Sequence, residues 1–179
     1  FSPTENLARI RDAGAAEGVF PIHADARALP FAREFFDAIV SIDSFFYYGT
    51  DDHYLANVAR FVRPGGAIGI AGAGLMHEFD GVVPEHLRGW WTSDLWCLHS
   101  APWWRRHWQQ TGIVDVAVAD TLEDGLRNWR EWVAFVAPDN APELAALDTD
   151  AGRSLGHVRV VGRRRADPLP GGLCAASDQ

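Results

Sequence analysis

Lysine is absent from this chain, and all 16 of its basic residues are arginine. Against 24 acidic residues they leave a formal net charge of -8 at pH 7. A surface that grips nucleic-acid phosphates needs clustered basic groups, so no nucleic-acid partner is expected. Beside plentiful alanine, glycine and arginine, the missing lysine reads as a GC-rich coding bias. It also removes chemistry that depends on a catalytic lysine, such as the Tyr-x-x-x-Lys pair of doubly wound dehydrogenases. Cysteine is scarce. Cys97 and Cys174 stand far apart with no metal-ligand spacing, which argues against a disulfide framework and for a reducing compartment, the cytoplasm by default. No apolar run approaches the ~20 residues that span a bilayer, and no basic-then-apolar segment opens the sequence. No membrane partner is expected, and no zinc spacing, P-loop or Ser-His-Asp order is present.

What is present suits one globular domain. A chain of 179 residues can bury roughly two-thirds of its unfolded surface. It opens on Phe1, with no methionine, and Ser2-Pro3-Thr4-Glu5 already forms a helix start: Ser2 as cap, Pro3 at the first helical position, Glu5 returning a bond. The expectation is that something precedes it. Leu7 and Ile10 give residues 3–14 one apolar face, and Gly14 and Gly18 end the helix. Residues 19–24 read as a short strand despite Pro21. Ala38-Ile39-Val40-Ser41-Ile42-Asp43 is a continuous apolar run of the kind buried on both faces of a parallel sheet. Thr50 caps a helix with Leu55, Val58, Phe61 and Val62 inside, and Arg63-Pro64-Gly65-Gly66 stops it ahead of a strand at 67–71. Strand, helix, strand, helix, strand predicts an α/β fold with a mostly parallel sheet.

Beyond Gly74 the character changes. Residues 75–110 form an aromatic-rich insertion or lid, irregular up to 99 and then helical from the Ser100 cap to Gly112. Trp103, Trp104 and Trp108 share that helix and cannot all face one pocket. Val114, Val116 and Val118 alternate as a strand; Leu126, Trp129, Val133 and Val136 mark an amphipathic helix; Pro142–Leu147 is a shorter one. His157–Arg164 alternates as a last strand, and the two alternating strands predict an antiparallel C-terminal edge. From Ala166 onward no period survives, so residues 166–179 read as a disordered tail.

Ala24-Asp25-Ala26, Leu29-Pro30-Phe31, Phe36-Asp37-Ala38-Ile39-Val40 and Arg63-Pro64-Gly65-Gly66 fall in the order and spacing of a known family. The chain resembles the class I S-adenosylmethionine-dependent methyltransferases of the small-molecule, methyltransferase-domain-11 type, over about residues 2–165. The resemblance implies a Rossmann-like sheet and S-adenosylmethionine as cofactor. It implies that Asp25 accepts from the adenine amino group, that the Ala26 amide meets the ring nitrogen, and that Leu29 and Phe31 wall the adenine. Ser41, Ile42, Asp43 and Ser44 would lie under the methionine part. A carboxylate only accepts, so Asp25 suits an exocyclic amine better than a phosphate.

The family's glycine-rich loop after its first strand, and the acid after its second, have no counterpart here. Gly72-Ala73-Gly74 fails as a fingerprint because His77 stands where the third glycine belongs. The helix at Ser2 corresponds to the one after the family's second strand, so the expected chain is a fragment lacking the first two strands. Its unpaired sheet edge would favour a homodimer or a strand swap.

Methyl transfer from a sulfonium needs mainly near-attack geometry and exclusion of water. A general base is required only for an acceptor protonated at working pH, and the candidates are Asp43, Tyr47, His53 and His99. The acceptor would be a small molecule, apolar or cationic, held by Phe45-Phe46-Tyr47-Tyr48 and the tryptophans, whose faces attract ammonium groups. A covered sheet face would explain the same tryptophans. His23 and Asp25, without a third ligand, make no metal site. Two other readings compete: a non-catalytic methyltransferase-like interaction module, and a cyclopropane-fatty-acid-synthase-like enzyme using the same cofactor.

Overall fold

A computed structural model describes residues 2–166. The chain divides into two compact units, Phe1–Phe31 and Ala32–Gln179.

The first unit holds helix α1, Pro3–Asp12. Ser2 Oγ accepts from the Glu5 N–H at 3.2 Å, and Arg9 pairs with Glu5 one turn back at 2.8 Å. Gly14 stops the helix in a left-handed conformation at φ 65°, where glycine alone escapes the Cβ clash. The strand expected at 19–24 does not form. Phe20 is 77% exposed and Ile22 53%; no ladder partner lies beside the segment among the described residues, and Pro21 lacks an N–H to give one. A lone extended segment without a neighbour leaves its backbone groups to water.

The second unit is built on four strands: β1 Phe36–Ile42, β2 Val62–Leu75, β3 Val114–Leu122 and β4 Leu155–Arg164, in the spatial order β1-β2-β4-β3. β1 and β2 are parallel, and β4 runs antiparallel to both of its neighbours. The antiparallel half is therefore where the alternation placed it, but the last strand lies inside the sheet and β3 forms the edge. Val158 and Val160 of β4 are buried, which an interior position requires and an edge strand does not.

β1 departs from its expected burial on both faces. Val40 is 71% exposed and Ile42 62%, because the face of β1 that they share with Ala38 is left uncovered. Its connection to β2 contains a 3₁₀ turn, Phe45–Tyr47, and the short helix α2, Tyr54–Ala59. This helix starts later than the Thr50 cap predicts: Asp51 Oδ1 accepts from the His53 N–H at 2.7 Å and closes a turn first. Pro64-Gly65-Gly66 does not separate helix from strand. It lies within β2 at a break in register, between the pairs Phe36–Val62 and Ala38–Ala67. Gly65 has φ +78°, and a Cβ on Gly66 would sit 2.6 Å from the Asp37 carbonyl oxygen, so the bulge needs both glycines.

The segment after β2 is irregular, with 3₁₀ turns at Glu85–Leu87 and Ser93–Cys97. Its Phe79, Leu87 and Leu98 are buried. Helix α3, Ala101–Gln110, is capped by Ser100 and buries Trp104 and Trp108 completely, edge-on to Phe45. Helices α4, Gly125–Val136, and α5, Ala141–Asp150, are clamped by Arg130–Asp148 at 2.8 Å and by Trp129 Nε1 donating to Glu143 Oε1 at 2.9 Å. The tail expected at 166–179 lies, beyond Ala166, outside the described residues.

Candidate active site

Within the second unit a cavity of about 900 Å³ opens over the carboxyl end of β1 and the adjoining Ala71–Ala73 of β2. Parallel strands deliver side chains and free backbone groups there, which is where open α/β sheets hold ligands. Ile42, Asp43, Phe46 and Tyr47 form its floor. Trp90, Leu95 and Cys97 come from the irregular segment, while Trp129, Trp132 and Val133 come from α4. The wall is largely aromatic and aliphatic, with Asp43, Glu143, His157, Thr92 and Asn128 among its polar points and no arginine among the lining residues.

Asp43 closes β1 in the left-handed region at φ 51°, a conformation aspartate tolerates better than branched residues. Its N–H still reaches the Ala71 carbonyl at 2.8 Å, so the strand register holds while the side chain turns across β2. The carboxylate passes over Gly72, where an added Cβ would lie 3.1 Å from Asp43 Oδ1 and 2.8 Å from the Phe46 ring. On the far side Oδ1 meets His157 Nε2 at 3.2 Å. The other ring nitrogen, Nδ1, donates to the Gly125 carbonyl at the start of α4, at 2.7 Å. Burial works against a charged His157, but the bonds to Asp43 and Gly125 outweigh it and raise its pKa above the ordinary histidine value.

Of the four base candidates, the fold brings Asp43 and Tyr47 into the cavity and leaves the other two outside its lining. Tyr47 is raised by partial burial, then by Cys97 and the Asp43 carboxylate. Burial also raises the Cys97 thiol, which donates to the Asp94 carbonyl at 3.0 Å. His53 is an exposed residue at the start of α2. His99 stacks on Trp103 at 3.6 Å, and its Nδ1 meets Glu78 Oε2 at 3.0 Å. Glu78 Oε1 also accepts from the Ser100 N–H and hydroxyl, at 2.8 and 2.7 Å. This cluster anchors the start of α3, a structural task. His157 and Glu143 escape sequence reasoning. His157 lies on the face of β4 opposite the buried Val158 and Val160, and its partner is 114 residues away.

Of the residues expected under the methionine, Ile42 and Asp43 line the cavity. Ser41 and Ser44 bond to each other at 2.9 Å, and Ser44 continues to the Tyr48 hydroxyl at 3.1 Å. Those expected around adenine belong to the first unit. There Asp25 takes a bidentate ion pair from Arg27 at 2.8 and 3.0 Å, with the Arg27 N–H completing the turn. The Arg27 side chain holds the Asp25 carboxyl down to about 2. Ala26, Leu29 and Phe31 are half-buried. Among the described residues no group of three His, Cys, Asp or Glu could hold a metal ion, and no helix is long and apolar enough to cross a membrane.

Residues 3–70 match the family described as Methyltransferase domain. Methyltransferase GfsG of Streptomyces halstedii is 33% identical over 84 residues, 47% of this chain and 30% of that protein. Geranyl diphosphate methyltransferase in complex with SAM superposes with a TM-score of 0.68 at 17% identity, over 91% of this chain and 66% of its own. The (4+2)-cyclase SpnF does so at 0.64 and 18% identity, over 89% and 62%. The chain spans less than a third of the curated relative and about two-thirds of these solved neighbours. Residues 3–70 are thus similar to a methyltransferase domain, and the chain shares the fold of these solved neighbours.

Proposed function

We propose that the protein transfers the methyl group of S-adenosylmethionine to a small, largely apolar acceptor. The observation that carries this reading is the cavity at the end of β1, which combines aromatic walls, two carboxylates and no arginine. That lining suits a cationic donor beside an uncharged or cationic acceptor, since carboxylates and ring faces both attract positive charge. The same lining disfavours a phosphorylated acceptor, which would meet Asp43 and Glu143 without an arginine to pair with.

The chemistry supplied by the cofactor is an electrophilic methyl on a sulfonium. The protein's part is to hold, align and dry the reactants. Asp43, whose Oδ2 takes no hydrogen bond from a described residue, is suited to accept from an ammonium group at the carboxyl end of β1. Ile42, Ser41 and Ser44 complete that strand end. Asp25, Ala26, Leu29 and Phe31 enter as adenine ligands through the family resemblance. Three bonds from Arg27 already engage the Asp25 carboxylate, so an adenine amino group would share it with the guanidinium. Trp90, Trp129 and Trp132 wall the acceptor space and exclude water.

Calorimetry of the full-length protein with S-adenosylmethionine and S-adenosylhomocysteine tests the reading. Both are expected to bind, and Asp25→Ala to weaken both by about ten-fold, the scale of one lost charge-assisted hydrogen bond. Absence of binding to the intact protein would overturn the proposal. Unchanged affinity in Asp25→Ala would remove that residue from the site. A second reading, a cofactor-binding protein that does not methylate, draws support from the structural likeness to a cyclase. Release of S-adenosylhomocysteine with neutral apolar alcohols separates the two.

A further inference from the structure

We infer that His157, with Asp43 beside it, is the proton acceptor of the site, and that the acceptor is a hydroxyl compound whose O–H proton it removes. The inference rests on the proposed function, and it adds the base and the kind of atom that is methylated.

The Gly125 carbonyl can only accept, so the 2.7 Å contact fixes a proton on His157 Nδ1. The remaining nitrogen, Nε2, faces Asp43 Oδ1 at 3.2 Å. A carboxylate also only accepts, so Nε2 and Oδ1 form a site that holds one proton between two lone pairs. With that proton present, His157 is an imidazolium with both nitrogens bonded. Without it, two acceptors face each other across 3.2 Å, and a proton from a third group relieves the repulsion.

That one-proton site borders the cavity. His157 is a lining residue with its side chain 14% exposed, while Asp43 remains 58% exposed. Trp129 packs edge-on to the imidazole at 5.8 Å, and Gly125 stands so close to the His157 Cβ that only glycine fits there. The ring is therefore clamped by α4, by its own strand and by the end of β1. Around it the other titratable groups of the cavity are Tyr47, Cys97 and Glu143. Glu143 is engaged by Trp129 Nε1 at 2.9 Å and Asn140 Nδ2 at 2.6 Å. Cys97 donates to the Asp94 carbonyl, and Tyr47 is itself a proton donor. His157 and Asp43 are left as the pair with an unshared proton position.

The proton step balances within these groups. The acceptor's O–H bond breaks, an N–H bond forms at Nε2, and the imidazolium charge is held by the Asp43 carboxylate. The electron pair stays on the acceptor oxygen, which becomes the nucleophile. A thioether or a neutral amine would not require such a group; a hydroxyl would.

The test uses the full-length protein and 3-nitrophenol, a neutral phenol that fits the aromatic cavity and whose phenolate absorbs in the visible. Bound dye is expected to ionise about ten-fold more readily than free dye, a downward shift of about one pKa unit. His157→Gln should still bind the dye and return its ionisation to the free curve. Asp43→Asn, at an exposed position, should reduce the shift without loss of fold. Nitrogen-detected NMR of the unliganded protein should show the His157 proton on Nδ1 above its titration midpoint. Dye that does not bind, dye that binds without a shift, a shift that persists in His157→Gln, or a neutral His157 carrying its proton on Nε2 would each overturn the inference. The dye readout needs no cofactor, so failure of the calorimetric test above is read separately.

Discussion

The carboxylate of Asp150 is completely buried and meets His86 Nε2 at 2.8 Å. It also accepts from the Ser154 and Leu155 backbone N–H groups, at 2.9 to 3.2 Å. Asp150 closes α5, His86 belongs to the aromatic segment, and Leu155 opens β4. One side chain thus joins the end of a helix, the entry to an interior strand and the covering segment. Burial alone would raise its pKa, but the bonds from His86, Leu155 and Ser154 hold it below the ordinary carboxylate value.

Asp150→Ala is expected to destabilise the protein by about 2–4 kcal/mol, since it strips partners from buried donors. Urea denaturation checks this. Because the folded pKa is lowered, the contribution is present above the ordinary aspartate value and fades as pH falls through the folded one. The stability gap between wild type and variant should therefore close in acid. A gap that stays constant to low pH would contradict the role given to Asp150.

The His157–Asp43 pair has the opposite sign. A histidine raised in the folded state contributes fully below its ordinary value, and the contribution is lost as pH rises through the folded one. The difference in melting temperature between wild type and Asp43→Asn is expected to be larger at about pH 6 than at about pH 9.

Gly72→Ala should disturb the site more than the fold. Its Cβ would meet the Phe46 ring at 2.8 Å and the Asp43 carboxylate at 3.1 Å. Overpacking of this kind costs about 1–3 kcal/mol. The sharper effect is expected in the pH titration of His157, whose midpoint should fall as Asp43 is pushed away. Histidine NMR on the purified variant reads it directly.

Glu143→Ala removes the acceptor of Trp129 Nε1 and frees the contact between α4 and α5. A loss of about 1–2 kcal/mol is expected from a charge-assisted bond to a half-buried indole. Tryptophan emission should shift to the red as the cavity wall loosens, and Glu143→Gln, which keeps an acceptor oxygen, should restore most of both.

The sequence by itself determined the local elements and carried the family resemblance. The Ser2 and Ser100 caps start α1 and α3, and the valine alternation at 114–118 and 158–160 marks two strands. The Asp-Ala, Leu-Pro-Phe and Phe-Asp pieces pointed to the methyltransferase class, because capping, period and short-range motifs are properties of neighbouring residues. The failed strand at 19–24 and the bulge at Pro64-Gly65-Gly66 depended on what lay beside them. Pairing is non-local, so no local pattern could decide either. The same holds for the site. Asp43 was visible as a strand-end acid, but His157 became its partner only when β4 inserted beside β2, and Gly125 only when α4 began against that strand. Tertiary structure alone could make a one-proton site from residues so far apart, because hydrogen-bond distance is set by the sheet order and not by position along the chain.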